Sequence, residues 1–251
     1  MSARRPMATR NRPAKTGRSW WRVFASVVMA LLCIIILYQL WLFCSVVYYS
    51  FQPPSQTSVM RQELARLKEK NPKATLNYQW VDYGNINDSL KRAVIAAEDA
   101  NFLAHGGVEW EAIRKAWEYN QAQAEQGRAR MRGGSTITQQ VAKNLFLSGS
   151  RTYLRKGQEL VLTYMIEHTM SKQRILELYL NVAEWGNGVF GAQAAARHYY
   201  NVDASRLSES QAARMAAMLP NPRFYDSNRA TRYLNSRTAT YVRRMRDAEI
   251  P

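Results

Sequence analysis

A long apolar run, Val23 to Tyr49, constrains the fold of this chain more than any other feature. It contains no charged residue, and at helical rise it is long enough to cross a bilayer with some tilt. A cleavable signal peptide is the alternative interpretation. The run is, however, about twice as long as the usual h-region of 7 to 15 residues, and no convincing small-x-small cleavage site follows it. We therefore expect an uncleaved membrane anchor at 23–49.

The charges that flank this run predict its orientation. The first charged residue after it is Arg61, and aromatic residues typical of membrane interfaces stand at both ends, namely Trp20, Trp21, Tyr48 and Tyr49. The segment 1–22 has no acidic residue and carries the basic residues Arg4, Arg5, Arg10, Arg12, Lys15, Arg18 and Arg22. The positive-inside rule then predicts a disordered cytoplasmic tail at 1–22, with the rest of the chain outside.

Composition narrows the possible function. The net charge of +16 favours an anionic partner, but the sign alone does not separate nucleic acid from phospholipid or a phosphorylated substrate. Nucleic acid is a remote partner for a domain expected outside the cell membrane. Both cysteines, Cys33 and Cys44, lie in the apolar run, so the exported part is neither a disulfide scaffold nor a thiol enzyme. The three histidines are scattered without zinc-ligand spacing.

The sequence after the anchor predicts a mostly α-helical fold. Residues 50–74 indicate a juxtamembrane linker with a short charged helix near 60–70, and 75–251 one domain of catalytic size. A short extended piece is expected near 78–86, and alternation of strands and helices is absent. Caps and apolar spacing predict helices that start at Asn87 or Asp88 and end at Gly106, and further helices at 108–126, after Thr136, at 152–170, at 171–186 and at 208–219.

The stretch "AVIAAEDANFLAHGG" is the first candidate for chemistry. It places Glu98 and Asp99 inside a predicted alanine-rich helix, where adjacent positions point about 100° apart, so only one carboxylate can face a site squarely. A solvated acidic pair is the alternative, and the pattern alone gives the two readings equal weight. His105 is more typical of a structural or capping histidine than of a base.

The stretch "GGSTITQQVAKNLF" is the second candidate. Two glycines would let the backbone approach a ligand, and Thr136 with Gln139 matches a capping box, which predicts a helix start with N–H groups exposed to a phosphate or sugar hydroxyl. Lys143 stands too late for a Walker loop, but its spacing from Gln139 continues a polar stripe along one helix face. A loop and cap without a ligand is the alternative.

Basic residues gather in "SRTYLRKGQEL". Arg155 and Glu159 have the spacing of a helix-surface ion pair, which is the reading that the pattern alone slightly favours. The alternative is that basic residues here neutralise a diphosphate, with Glu159 as a second active carboxylate or a metal anchor. These basic residues are Lys143, Arg151, Arg155 and Lys156.

Five ordered motifs identify a family. The stretches "EDANFLAHGG", "GGSTITQQVAKNLF", "RKGQE", "KQRILELYLN" and "GAQAAARHYYN" resemble those of the peptidoglycan glycosyltransferases, glycosyltransferase family 51, over residues 75–225. With one anchor and no second catalytic domain, the chain is most similar to the monofunctional biosynthetic members. The "RHYYN" segment departs mildly from the family, where phenylalanine and glycine often follow the first tyrosine; this touches packing more than chemistry.

The resemblance implies a lysozyme-like α fold and the polymerisation of lipid II into glycan strands. It implies that Glu98 is the general base that deprotonates the GlcNAc 4-hydroxyl of the acceptor, with Glu159 in an assisting role. It also implies that the donor and its pyrophosphate are held by residues of the first three motifs. These substrate-binding predictions are Asp99, His105, Gly134, Ser135, Thr136, Gln139, Gln140, Lys143, Asn144, Arg151, Arg155 and Lys156.

The resemblance also predicts the location, the metal ion and the partners of the protein. It implies an inner-membrane protein with a periplasmic domain, possible Mg²⁺ or Mn²⁺ assistance, and partners that are lipid II, the lipid-linked glycan chain, phospholipid and proteins of cell division or elongation. The segment 108–131 corresponds to a mobile region that dips into the bilayer in the family, although its tryptophans equally fit a core. The basic C-terminal segment 229–247 suits either lipid headgroups or plain solvation.

Three further points concern the fourth motif and the rival functions. Apolar residues around Glu177 and Asn181 predict that these two are buried structural polar groups. A lytic muramidase would share the fold and a catalytic glutamate but needs no diphosphate pocket. A non-catalytic membrane scaffold would explain the anchor and charge but not the five motifs.

Overall fold

The computed structural model describes residues 17–128, 133–147, 149 and 152–251. Residues 1–16 of the predicted tail and the candidate Arg151 therefore lie outside the described residues. Residues 17–22, which we expected to be disordered, belong to the first helix. The chain divides into two compact units, residues 1–44 and 45–251.

The predicted anchor is one long helix, α1 (Gly17–Phe51). Within it, Trp20–Phe51 is the apolar stretch, with a mean hydropathy of 2.6 in its most apolar window. A helix of this length spans about 50 Å, more than the ~30 Å of a hydrocarbon core. By length and composition it is a single-pass anchor, and it is the one helix of this kind among the described residues.

The second unit is mostly α-helical, as the sequence predicts, with short 3₁₀ turns at Tyr83–Asn85 and Ala204–Arg206. Its helices are α2 (Ser58–Lys70), α3 (Asp88–Glu98), α4 (Trp110–Glu125), α5 (Ile137–Phe146), α6 (Tyr153–Thr169), α7 (Lys172–Val182), α8 (Ala192–Tyr200), α9 (Glu209–Met218), α10 (Pro222–Ser227) and α11 (Arg232–Arg244).

The helix starts follow the capping residues read from the sequence. Side-chain oxygens of Asn87, Thr136, Ser171 and Ser208 each accept a hydrogen bond from a backbone N–H of the first turn that follows. Thr136 with Gln139 and Ser208 with Gln211 form complete capping boxes. These bonds satisfy N–H groups that a helix leaves without an intrahelical partner, so local sequence sets where the helices begin.

The predicted helix from Asn87 to Gly106 is too long. Helix α3 ends at Glu98, and Asp99 leaves helical geometry with φ −160° and ψ 74°. Phe102, which the apolar spacing placed on the helix, lies in the following turns and is nevertheless fully buried. Tertiary contacts of Asp99 override the helical pattern here, so the two adjacent carboxylates are not on one helix.

Residues 50–74 are not a free linker. Helix α2 packs against α5, and its residues Met60 and Glu63 are buried. The Glu63 carboxylate pairs with Arg66 at 2.5 Å and with Arg223 at 2.7 Å. The compact unit therefore starts well before the predicted boundary at residue 75.

This unit also contains a three-stranded sheet, where the sequence predicted one extended piece near 78–86. The predicted helix at 171–186 is too long, because α7 ends at Val182 and 184–186 is a strand. The strands of the sheet are β1 (Asn77–Tyr78), β2 (Glu184–Gly186) and β3 (Val189–Phe190), in the order β1-β3-β2. β1 is parallel to β3 with Asn77 opposite Val189, and β2 is antiparallel to β3. Strands of two or three residues are too short to show the alternation that predicts a strand.

Helix α7 is the centre of the core. Its residues Ile175, Leu176, Leu178, Tyr179, Leu180, Asn181 and Val182 are all buried, as expected for the fourth motif. It packs against α5, α6 and α8, while α9 packs against α3 and α11. Gly191, with φ 83°, passes so close to α7 that a Cβ there would lie 2.8 Å from the Asn181 carbonyl oxygen.

The two polar residues of the fourth motif have the structural role predicted for them. Asn181 is fully buried; its Oδ1 accepts from Val81 N at 2.8 Å and its Nδ2 donates to Val81 O at 2.8 Å. Glu177 accepts from Tyr83 N at 2.7 Å and pairs with Arg174 at 2.5 Å. Together they attach the segment before α3 to the central helix.

Replacing Asn181 with leucine should therefore destabilise the fold. The substitution leaves the buried backbone N–H and C=O of Val81 without partners, which costs about 2–4 kcal/mol. Thermal unfolding followed by circular dichroism measures the loss. Asn77→Leu, at an exposed position of β1, is the matched control and should change stability by less than about 0.5 kcal/mol. Equal losses in the two variants would contradict the role given to Asn181.

Candidate active site

Glu98 occupies the last residue of α3, where the helix meets α5. Its Oε2 accepts a hydrogen bond from Gln140 Nε2 at 2.7 Å. Burial raises the pKa of this carboxyl above its ordinary value, against the opposing effects of the Gln140 hydrogen bond and the Lys143 charge. A carboxylate made more basic in this way is a suitable proton acceptor for a hydroxyl group.

Asp99 turns in the opposite direction and serves the scaffold. Its carboxylate is buried; Oδ2 accepts from the Ile137 backbone N–H at 3.0 Å, and Oδ1 accepts from His105 Nε2 at 2.9 Å. Ile137 is the first residue of α5, where the helix dipole favours a negative charge. The prediction that only one of the two carboxylates faces the site agrees with this divergence, although the cause is the end of α3.

The same contact corrects the interpretation of the helix start as an open ligand site. The first N–H groups of α5 are not exposed to a ligand: Ile137 N donates to Asp99, and Gln139 N donates to Thr136 Oγ1 at 3.2 Å. Thr136 N donates to Gln139 Oε1 at 3.1 Å, and Thr136 Oγ1 donates to the Gly107 carbonyl at 2.6 Å. Thr136 and Gln139 are thus used for the cap and are buried.

His105 has the structural role that its position indicated. Its Nδ1 accepts from Gly107 N at 3.1 Å, which leaves the proton on Nε2 for donation to Asp99. The carbonyl of His105 accepts from Lys172 Nζ at 2.7 Å, and Lys172 also pairs with Glu167 at 2.9 Å. The loop after Glu98 is thereby fixed from both sides. The part of Lys172 was missed in the sequence, because nothing local links the fourth motif to the first.

The polar face of α5 that meets Glu98 begins at Gln140 rather than Gln139. Gln139 is 2% exposed and held in the cap, whereas Gln140 contacts Glu98 directly. Lys143 lies one turn further along, and burial lowers its pKa, while the charges of Glu159 and Glu98 raise it. Lys143 is therefore electrostatically coupled to both candidate carboxylates. Asn144, another predicted binding residue, is buried.

Glu159 is buried within a cluster of cations on α6. It pairs with Arg155 at 2.6 Å and with Lys156, so the predicted ion pair is present. Lys156 Nζ also lies 3.5 Å from Ser135 Oγ. The Nε of Arg155 is buried and has no hydrogen-bond partner among the described residues. A half-buried guanidinium with one unused buried donor suits an anionic ligand, because an unpaired buried donor is otherwise costly.

The two glycines ahead of α5 differ in what they permit. A Cβ at Gly134 would lie 3.0 Å from the Ile113 Cα and 3.2 Å from the Ala112 carbonyl oxygen, both in α4. Gly134 thus allows close packing of α4, which gives the glycine a reason other than the approach of a ligand. At Gly133 nothing lies within 4 Å of the added carbon.

The aromatic residues of α4 are on the surface. Trp110 is 61% exposed and Trp117 is 60% exposed, so these two side chains are not part of the core. Tyr153 and Leu154, at the start of α6, are exposed as well. Residues 129–132, which complete the segment predicted to be mobile, lie outside the described residues.

The candidate donors for a cation are already occupied. Asp99, His105 and Glu109 have one donor atom each within 4.8 Å of one another. However, Asp99 and His105 are hydrogen-bonded to each other, and Glu109 accepts from Asn101 Nδ2 at 2.5 Å. Glu159 is likewise paired with two cationic side chains. These groups do not fit a divalent cation without breaking bonds that hold the loop.

Replacing Asp99 with asparagine should destabilise the second unit. An amide replaces one of the two acceptor oxygens by an NH2 group, which would face the N–H of His105 Nε2 or of Ile137, donor against donor, and the favourable charge at the α5 start is lost. The expected loss is about 2–3 kcal/mol, measured by thermal unfolding. Asp247→Asn, at an exposed position after α11, is the control and should be near neutral. An Asp99→Asn protein as stable as the control would overturn the capping role.

Comparisons with known proteins place the chain in a family. The family model described as "Transglycosylase" matches residues 63–246. The "Biosynthetic peptidoglycan transglycosylase" of Bordetella pertussis is 70% identical over 241 residues, covering 95% of this chain and 100% of the relative. Proteins with the same description from Herminiimonas arsenicoxydans and Laribacter hongkongensis are 53% and 55% identical, and they cover 92% and 89% of this chain and 96% of each relative.

Proposed function

This chain belongs to the transglycosylase family, and on that premise we propose that it is a peptidoglycan glycosyltransferase that polymerises lipid II into glycan strands. The observation that supports the proposal is that the site contains two different carboxylate environments. One is a carboxyl group, Glu98, whose pKa burial raises; the other is a cluster of cations around Glu159 in which Arg155 keeps an unused buried donor.

Glu98 is the general base in this mechanism. Its free oxygen takes the proton of the GlcNAc 4-hydroxyl of lipid II while the hydroxyl oxygen forms a bond to C1 of the lipid-linked MurNAc of the growing chain. The C1–O bond to the diphosphate breaks, and its electron pair leaves with undecaprenyl pyrophosphate. Attack from the face opposite the leaving group inverts the anomeric configuration from α to β. Positioned general bases of this kind contribute roughly 10² to 10⁴ in rate.

The cation cluster stabilises the departing diphosphate. Lys143, Arg155 and Lys156 place positive charge where negative charge develops, which a simple glycosidase does not need. This is the physical reason to prefer a transferase to a lytic muramidase, and the tuned carboxyl is the reason to prefer either to a non-catalytic scaffold. Ser135, which lies beside Lys156, is a candidate to hold the same group, as is Arg151. Glu159 assists by holding the cations in place.

The resemblance to the family also supports a location, partners and a metal ion for this reaction. The basic residues before α1 favour a cytoplasmic N-terminus and a periplasmic catalytic unit attached to the inner membrane. The exposed Trp110 and Trp117 suit contact with the bilayer from which the lipid-linked substrates are taken. Proteins of cell division or elongation, and a Mg²⁺ or Mn²⁺ ion, remain predictions from the resemblance. The described residues that we propose to neutralise the diphosphate are themselves cationic, namely Lys143, Arg155 and Lys156.

The decisive experiment uses labelled lipid II with the full-length protein in detergent, followed by muramidase digestion of the product. The wild type should give a muramidase-sensitive polymer, and Glu98→Gln should reduce the rate by about 10²-fold or more because the base is lost. Glu209→Gln, an exposed glutamate of α9, should retain the wild-type rate. Solubilisation of preformed glycan without any polymer would instead indicate the muramidase reaction.

A second prediction concerns the leaving group. Arg155→Met should lower kcat/KM for lipid II about 10- to 100-fold, because a charged donor to the diphosphate is removed. It should also weaken inhibition by added inorganic pyrophosphate. Arg155→Lys keeps a charge beside Glu159 and should lose less activity, while Arg206→Met, an exposed arginine, is the neutral control. Unchanged pyrophosphate inhibition in Arg155→Met would argue against a diphosphate contact.

A further inference from the structure

Tyr179 is a buried phenol that the proposed reaction leaves unexplained. It lies on the central helix α7 and is 1% exposed. Its hydroxyl donates to Gln140 Oε1 at 3.4 Å. A tyrosine used only as packing requires no hydroxyl, whereas a buried hydroxyl is normally retained with a partner. The partner here belongs to the residue that contacts Glu98.

Gln140 connects this phenol to the candidate base. Its Nε2 donates to Glu98 Oε2 at 2.7 Å, and its Oε1 accepts from Tyr179. The planar amide has one accepting end and one donating end, and an ionised carboxylate only accepts, so the NH2 end of Gln140 must face Glu98. In this orientation the amide oxygen faces the phenol, which donates to it and holds the far end of the amide in place. A hydrogen bond to the amide oxygen also polarises the amide and strengthens its N–H as a donor.

We propose that Tyr179 is a positioning residue that acts through Gln140 to hold Glu98 in the orientation and charge state of a general base. This inference rests on the proposed function, and it assigns a role in the reaction to a residue of the scaffold helix. The chain of contacts runs from α7 to α5 to the end of α3, so three core helices determine the position of one carboxylate.

Besides the Gln140 amide, Glu98 has four titratable neighbours among the described residues. Its titratable neighbours are Asp99 beside it, Lys143 on α5, Tyr179 on α7 and Tyr241 on α11. Helix α9, which also packs on α3, has only alanine and methionine among its buried residues. Burial raises the pKa of Tyr179 well above its ordinary value, and that of Tyr241 as well, so both phenols stay neutral.

The sign of the effect follows from these contacts. Donation by Gln140 favours the ionised carboxylate and lowers the pKa of Glu98, against burial. Losing the phenol weakens that donation, so the pKa of Glu98 rises further and a larger fraction of it is protonated at acidic pH. A protonated Glu98 cannot accept the hydroxyl proton. The loss of activity should therefore be largest on the acid side and should shrink as the pH rises above the pKa.

The test measures kcat/KM for lipid II against pH with the full-length protein in detergent. Tyr179→Phe should raise the pKa of the acid limb by about half a unit, which lowers kcat/KM about threefold at acidic pH and by less than about twofold on the alkaline side. Gln140→Met should give a larger change of the same sign. Because Tyr179 acts through Gln140, the double variant should have the profile of Gln140→Met alone.

Tyr199→Phe is the matched control, because it also removes a phenol, one that donates to the Trp185 carbonyl at 2.7 Å away from Glu98. It should leave the pH profile unchanged even if thermal stability falls. An unshifted acid limb in Tyr179→Phe, a loss equal at every pH, or additive effects in the double variant would each overturn the positioning role. Failure of the proposed function is distinguishable, because the wild type would then make no polymer at any pH.

Discussion

The contact between the Asp99 carboxylate and the first N–H of α5 is the interaction on which the rest of the site depends. It ends α3 at Glu98, joins that end to the start of α5, and receives His105 from the loop between them. Because Asp99 is fixed there, Glu98 is directed to the neighbouring turn of α5, where Gln140 meets it. The two consecutive acidic residues thus have different roles. Hydrogen bonds within the scaffold hold the Asp99 carboxylate, and the Glu98 carboxylate remains available to the site.

The same division explains the electrostatics of the site. Asp99 lies at a helix start and accepts hydrogen bonds from Ile137 and His105, whereas Glu98 accepts from Gln140 and burial raises its pKa. Glu159 represents a third arrangement, in which a buried carboxylate is bound by Arg155 and Lys156 and serves to collect positive charge. Lys143 links the Glu98 carboxyl to the cation cluster, because the charges of both Glu159 and Glu98 raise its pKa against burial. Glu98 accepts the hydrogen bond from Gln140, and Glu159 binds the cations.

Local sequence was sufficient to predict the anchor, the mostly helical fold, and the helix starts at Asn87, Thr136, Ser171 and Ser208. It was sufficient because caps and long apolar runs act over a few residues. The end of α3, the packing of α2 and the three-stranded sheet depend on contacts between distant segments, and short strands have no usable period. In the site, the sequence identified Glu98 and Glu159 through the family resemblance. It could not distinguish Gln139 from Gln140, or recognise that Gly134 accommodates α4, because those roles are set by neighbouring helices.

The packing of α2 has a consequence for how the catalytic unit can be separated from its membrane anchor. Glu63 is buried between Arg66 and Arg223, and Arg174 donates to the backbone carbonyls of Tyr49 and Gln52. A soluble fragment that starts at residue 75 would remove Glu63 from Arg223 and the two backbone carbonyls from Arg174, and it would uncover the face of α5 on which α2 lies. Proteolysis or truncation that preserves the folded unit must therefore cut within the last turns of α1. The residues that follow the membrane-spanning part of α1 therefore already belong to the folded catalytic unit.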